Sequence, residues 1–341
     1  MSPSGQILVV NAGSTSLKLS LVADDERVTP LDAPAVGPRL APLVAAVAHR
    51  IVQASLDAPG PLVLDDSVLG RLTAAGDLAP LHTRPALEAI ATVRAALPGV
   101  PHVAVFDSTF HRTIPAEATI DPVPRSWREE WGIRRVGFHG LSVQWAAEQV
   151  RVSRLVVCHL GGGCSVTAVA DGRSIDTTMG FSPLDGIPMA TRSGTLDPAI
   201  VLYALRRGLS ADEVEHALEH ESGLLGLSGI SSRVEVLERR GDGGLALAVF
   251  ARRVAAAVAA MTAALGGLDA LVFTGGVGEH SARVRADVCR RLQFLGVELD
   301  PESNTRGGPG EMAGPGSPVR VVVVQAREDV VAARAARRLL R

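Results

Sequence analysis

A chain of 341 residues is too long for one ordinary hydrophobic core, and at about 100–200 residues per domain it calls for two. Apolar residues make up 47% and charged residues 21%, ordinary globular usage that excludes a disordered chain or a coiled coil. The formal charge of -2, from 34 Lys+Arg against 36 Asp+Glu without a long run of like charge, leaves no electrostatic footprint for nucleic acid.

In chain order, residues 7–10 form a short apolar run that breaks at Asn11-Ala-Gly-Ser-Thr15, after which Leu17, Leu19 and Leu21 alternate with polar residues: strand, tight turn, strand. The plan returns at residues 155–158, followed by His159-Leu-Gly-Gly-Gly163, a second run over 165–170, an Asp171-Gly172 turn and a further strand. The chain is therefore duplicated in plan, though scarcely in sequence. Residues 245–265 read as an Ala-rich packed helix, because Arg252 and Arg253 interrupt what would otherwise be a membrane span. A third apolar run, 270–273, breaks at Thr274-Gly-Gly-Val-Gly278 and leads into a helical spacing over 281–294. Residues 307–318, dense in Gly and Pro, read as an exposed loop, 319–324 as a buried strand, and 330–340 as a closing helix whose arginines form a solvated face. Strands mixed with helices imply an α/β fold. A cleft between two domains is the natural place for a site.

The first residues carry no basic segment ahead of an apolar core, which points to a cytoplasmic protein without membrane association. Cys158, Cys164 and Cys289 form an odd set without CxxC spacing and are expected as buried thiols rather than disulfides or zinc ligands.

The chemistry concentrates in a few segments. Small residues in Asn11-Ala-Gly-Ser-Thr-Ser16 let backbone N–H groups approach an anion, Ser14 and Ser16 add hydroxyls and Lys18 adds charge, although the same residues also make an ordinary hairpin. Asp107 ends the apolar run Val105-Phe106, placing a carboxylate at the strand edge where α/β proteins hold ligands, although an Asp there also forms turns or caps helices. Arg192 stands among small residues in Ala190-Thr-Arg-Ser-Gly194, as suits two-point grip on a carboxylate or phosphate, although a surface loop with an incidental salt bridge reads the same way. The loops at 159–163 and 274–279 are glycine-rich, yet they lack the Lys-Ser/Thr ending of a P-loop and the longer dinucleotide pattern.

Taken in order, Asn11-Ala-Gly-Ser-Thr-Ser-Leu-Lys18, His49-Arg-Ile-Val52, Pro80-Leu-His82, Phe106-Asp-Ser-Thr-Phe-His111, Gly137-Phe-His-Gly140, Val157-Cys-His-Leu-Gly161, Asp176-Thr-Thr-Met-Gly-Phe-Ser-Pro183, Thr191-Arg-Ser-Gly194, Leu196-Asp-Pro198 and Phe273-Thr-Gly-Gly-Val-Gly-Glu279 closely resemble the acetate kinases, within the kinases that share the actin and hexokinase fold. The resemblance runs from the first strand to the closing helix. It implies two ribonuclease-H-like domains, residues 1–112 with 329–341 for the acid and phosphate and 113–328 for the nucleotide and for dimerisation. It further implies a kinase that moves a phosphoryl group reversibly, directly and in line between a nucleotide and a short carboxylic acid, with Mg²⁺ as metal, ATP as co-substrate and a homodimer as the assembly. By the same resemblance Asp107, His139 and Arg192 are catalytic, and Arg50 holds the acid with Val52, Leu81, Phe138 and Pro183 as its apolar pocket. Asn11 and Glu328 belong to the metal site. Ser14, Ser16, Lys18, His159, Leu160, Gly161, Gly162, Gly163, Arg233, Val234, Glu235, Gly276, Val277, Gly278, Glu279 and His280 belong to the nucleotide site.

Departures from the family pattern fall mostly on the nucleotide side. Gly162 stands where an Asn is usual, Arg233-Val-Glu235 where Asp-Phe-Arg follows the Ser228-Gly-Ile-Ser-Ser232 segment, and His280 where an Asn follows Gly-Glu. On the acid side Gln53-Ala54 replaces His-Gly, Ala190 replaces a Gly, and the stretch 21–49 is short. The alternatives left open are another acid, a donor such as pyrophosphate or a different nucleotide, and a ligand-binding homologue without catalysis.

Overall fold

The computed structural model of the chain describes residues 5–12, 17–32, 36–52, 58, 60–75 and 80–341, the side chains of 75, 80–84 and 242 excepted. Its contacts divide into two compact units: Met1–Phe110 with Phe138–Trp145 and Arg327–Arg341, and His111–Gly137 with Ala146–Ala326.

In the first unit, β1 (Gln6–Ala12), β2 (Leu17–Val22), β3 (Val28–Leu31), β4 (Val44–Ile51), β5 (Leu62–Val63) and β6 (His102–Phe106) form one sheet in the order β3-β2-β1-β4-β6-β5. Strands β1 to β3 are an antiparallel meander, while β4 lies parallel to both β1 and β6. The alternation along β1 explains its burial on both faces. Ile7 and Val9 pack with Val330, Val331 and Ala333 of the helix Glu328–Leu339; Leu8 and Val10 pack with Val93 of the helix Pro80–Ala96 and with Leu97 beyond its end.

The second unit repeats the plan with β7 (Arg154–Leu160), β8 (Cys164–Ala170), β9 (Arg173–Thr177), β10 (Ala270–Thr274), β11 (Gly310–Glu311) and β12 (Arg320–Val323), in the order β11-β12-β10-β7-β8-β9. Numbering each set from its own first strand gives the same sequence of neighbours, so the duplicated plan is real: two ribonuclease-H-like halves with one mixed sheet apiece. Asp171 and Gly172 turn β8 into β9 with φ of 45° and 77°, the primed geometry that matches strand twist. The helix Gly244–Leu265 is long and apolar enough by length and composition to cross a bilayer. Here it lies on β7, β8 and β9, burying Leu247, Phe250, Ala251, Val254 and Val258. At about 1.5–3 kcal/mol for each large side chain taken from water, that seam is a main anchor of the unit.

Two expectations need correction. The arginines of the closing helix are not all a solvated face: Arg334 forks onto both oxygens of Glu26 at 2.5 and 2.7 Å, and Arg337 donates to the Val22 carbonyl at 2.7 Å, so they grip the β2–β3 turn. Only a tertiary neighbour, distant by about the whole chain, turns that charged face into a clamp; Arg338 remains exposed. The Gly/Pro-rich stretch 307–318 is exposed in part, yet it contributes the edge strand β11 and a bridge from Ala313 to Leu299. The cysteines are as expected, free and buried, with burial pushing the Cys164 and Cys289 thiols up to about 12.

Candidate active site

Three parallel strands of the first unit end together. Asn11 on β1 pairs in register with Arg50 on β4, and Asp107 follows the last residue of β6. The carboxyl ends of such strands are where an open α/β sheet offers a binding edge. Arg50 donates from Nε to Asp107 Oδ1 at 3.0 Å and from Nη2 to Oδ2 at 2.5 Å, the two-point geometry peculiar to arginine. Its Nη1 reaches Asn11 Oδ1 at 2.9 Å and Glu328 Oε2 at 3.0 Å. Glu328 opens the closing helix and accepts from Asn11 Nδ2 at 3.4 Å.

Asp107 is fully buried, and burial pushes its carboxyl up, against the pull of Arg50 and a backbone hydrogen bond from His139. Burial works on Arg50 in the opposite sense, but Asp107 and Glu328 together outweigh it and raise its pKa. We take the pair as ionised, because a two-point guanidinium bond compensates a buried carboxylate as well as any protein group can.

His139 has φ of 59°, left-handed backbone that costs a non-glycine residue about 1 kcal/mol or more. The next position explains the fold around it: a Cβ on Gly140 would lie 2.0 Å from the Asp107 carbonyl oxygen. Only glycine lets the two segments approach so closely. Phe138 is buried beside His139, and Val52 follows β4 directly. Lys18 sits on β2 opposite Asn11 with its side chain exposed. Ser14, Ser16, Gln53 and Ala54 and the side chain of Leu81 lie outside the described residues.

In the second unit the ends of β7 and β10 run in parallel, Thr274 opposite His159, and each continues into a glycine turn. Gly161 N–H closes on the Gly163 carbonyl at 3.0 Å. Gly275, at φ 78°, crosses so near that a Cβ there would meet Leu160 O at 2.7 Å. Beside these turns opens a cavity of about 540 Å³ lined by Gly161, Gly162, Ala190, Gly276 and Val277, and by Ser232, Arg233, Val234, Glu235, Glu238, His280 and Ser281. Eight residues assigned to the nucleotide by resemblance thus share one wall. His159, Leu160, Gly163, Gly278 and Glu279 do not line it. Glu279 Oε1 accepts from Gly275 N–H and Ala326 N–H, both at 3.0 Å, and so closes the turn itself. Sequence reasoning missed Glu238, whose Oε1 accepts from Ser281 Oγ at 2.5 Å, and missed the Ser281 hydroxyl that caps the next helix on Val284 N–H. The three-residue step from Glu235 to Glu238 on one short helix was the available signal.

Arg192 also lies in the second unit, next to Pro183, whose carbonyl is 3.5 Å from its Nη1. Its Nε pairs with Glu219 Oε2 at 2.8 Å, both side chains mostly buried. Glu219 belongs to a charged amphipathic helix, Ala211–His220, and nothing in that local pattern sets it apart.

An edge of strand ends carrying a carboxylate-gripped arginine, and a glycine-walled cavity in a second half of the same topology, mark an α/β protein with edges suited to anionic ligands. The chain belongs to the acetokinase family, whose model matches residues 31–334, and so to the phosphotransferases with a carboxyl acceptor. It is 42% identical to an acetate kinase of Synechococcus sp. (strain JA-2-3B'a(2-13)) over 312 residues, 87% of this chain and 77% of the relative. It is 41% identical to an acetate kinase of Carboxydothermus hydrogenoformans over 305 residues, 85% and 77% of the two chains. Among solved structures, a propionate kinase from Francisella tularensis superposes with a TM-score of 0.88 at 31% identity, covering 97% of this chain and 98% of that one. The Porphyromonas gingivalis acetate kinase superposes with a TM-score of 0.86 at 28% identity, covering 99% and 100%.

Proposed function

We propose that the protein phosphorylates acetate or a similar short carboxylic acid at the expense of a nucleotide, giving an acyl phosphate reversibly. The observation that carries this reading is the mostly buried Arg50, held at the strand ends by Asp107 and Asn11 and by Glu328 of the closing helix, in a chain of the acetokinase family. A carboxylic acid is already ionised at pH 7, so the reaction needs no strong base; it needs two mutually repelling anions aligned and the transition-state charge neutralised. In this reading Arg50 orients the acid, with Val52, Leu81, Phe138 and Pro183 against its alkyl group. Arg192 and His139 contact the transferred phosphoryl oxygens, and transfer is direct.

The oxygen donors of Asn11 and Glu328 are of the hard kind that Mg²⁺ prefers, and one or two such groups are its usual protein share beside phosphates. Those two residues would hold it, and its charge would neutralise phosphate oxygens. Among the described residues no cluster of three or more His, Cys, Asp or Glu occurs.

The glycine turns and the 540 Å³ cavity suit a nucleotide, with Gly161, Gly162 and Gly276 offering backbone to phosphates and Val234 and Val277 offering apolar wall. A donor other than ATP is the second reading, favoured by one feature: Arg233 and Glu235 are bonded to each other at this cavity rather than free for a base.

A homodimer is supported by the helix Pro198–Arg206, which buries no side chain and leaves Ile200 56% and Tyr203 63% exposed, with Leu202 and Leu205 alongside. Sedimentation should give a dimer that Ile200→Glu with Tyr203→Glu shifts to monomer; an unshifted dimer would place the interface elsewhere.

The test of function is incubation with Mg²⁺, ATP, GTP or pyrophosphate, a panel of short carboxylates and hydroxylamine, which traps acyl phosphate as a coloured hydroxamate. Product that depends on acid, donor and Arg192 is expected. No product with any donor would sink the kinase reading.

A further inference from the structure

Among the described residues two carboxylate side chains are buried, Asp107 and Glu219, and each is bonded to an arginine, Arg50 and Arg192 respectively. We infer that Glu219 is a positioning residue for Arg192, fixing the aim of its guanidinium. The inference rests on the reading of Arg192 as a group that contacts the transferred phosphoryl.

A buried ion pair is a poor device for stability alone, since apolar residues of similar volume serve as well or better. Its geometry, however, is informative. Glu219 Oε2 takes the Nε of Arg192 at 2.8 Å. The Nη1 edge is left with long contacts only, 3.5 Å to the Pro183 carbonyl and 3.9 Å to Met189 Sδ. Rotation of a planar guanidinium about its bond to the side-chain stem would break the Nε bond, so that bond biases its terminal nitrogens toward one direction, available to an oxyanion.

The same segment also fixes the backbone of Arg192. Thr191 Oγ1 donates to the Glu219 carbonyl at 2.8 Å, Ser193 N–H to Leu218 O at 3.1 Å, and Ser222 N–H to Thr191 O at 2.9 Å. Gly223, at φ 58°, comes so near that a Cβ would lie 2.6 Å from Arg192 O. Residues 218–223 thus hold Arg192 at both ends of its side chain, which is what pre-organising an anion contact requires.

Three variants test this by kcat, by KM for acid and nucleotide separately, and by melting temperature. Glu219→Ala removes both the bond and the charge; Glu219→Gln keeps an acceptor for Nε without the charge; Arg192→Ala removes the group being aimed. Misplacement of a contact group by about 1 Å can cost about 100-fold, so Glu219→Ala is expected to lower kcat about 10- to 100-fold with nucleotide KM within about twofold. Glu219→Gln should recover kcat to within about threefold of the parent, since orientation needs the acceptor and not the charge. Unchanged kcat in Glu219→Ala, while Arg192→Ala is inactive, would overturn the inference. So would a Gln variant as slow as the Ala variant. Full activity in Arg192→Ala would instead remove the underlying reading of Arg192, whatever the Glu219 variants do.

Discussion

The first unit presents its strand ends as charge: Asn11, Arg50 and Asp107 from three parallel strands, joined by Glu328 from the closing helix. The second unit, built on the same sheet order, presents the ends of β7 and β10 as bare backbone, Gly161 to Gly163 and Gly275 to Gly278, beside a cavity. One topology therefore carries two opposite kinds of edge, one set with charged side chains and one of glycine backbone. The edge comes from the fold; the chemistry comes from which residues stand on it. A buried carboxylate bonded to an arginine recurs in both units, Asp107 with Arg50 and Glu219 with Arg192, and there the two halves converge.

The comparison breaks hardest at Arg50. Arg50→Ala leaves Asp107 buried without its counter-charge, which should cost about 3–5 kcal/mol in urea unfolding and abolish hydroxamate formation. Stability close to that of the parent would mean that Asp107 does not depend on the pair. Gly275→Ala probes the other unit: it forces φ near +78° on a side chain that meets Leu160 O at 2.7 Å, at about 1–3 kcal/mol. Nucleotide KM should rise while acid KM stays put. If acid KM moves with it, the division of labour between units is wrong.

Acid should weaken the first unit through His49. Buried against His102 at 2.9 Å, His49 is pushed down to about 3, chiefly by desolvation. Between about pH 6.5 and 3 the unfolded chain binds a proton that the folded His49 refuses. Stability therefore falls as pH drops through that window, by about 1.4 kcal/mol per pH unit at most, and has no such dependence above it. His49→Gln should flatten the acid limb of a urea-midpoint profile; an unchanged slope would locate the proton uptake elsewhere. The smallest effect belongs to the clamp on the β2–β3 turn. Glu26→Ala removes a partly exposed pair with Arg334, worth about 1 kcal/mol or less, and should lower the melting temperature slightly without touching kcat.

The sequence by itself determined the local grammar: the apolar runs that became β1, β7 and β10, the primed turn at Asp171-Gly172, the packed helix Gly244–Leu265, and the ordered motifs by which the family was legible. These are readable because periodicity, turn chemistry and glycine loops act over a few residues. Tertiary structure decided what such a window cannot hold. It put Arg50 within reach of Asp107 and Glu328, 57 and 278 residues further along the chain. It turned Arg334 and Arg337 from an apparent solvated face into the grip on Glu26 and Val22, and it picked Glu219 out of a helix full of charges as the one that meets Arg192. Burial sets the weight of each of these pairs, and burial belongs to the whole fold rather than to any stretch of it.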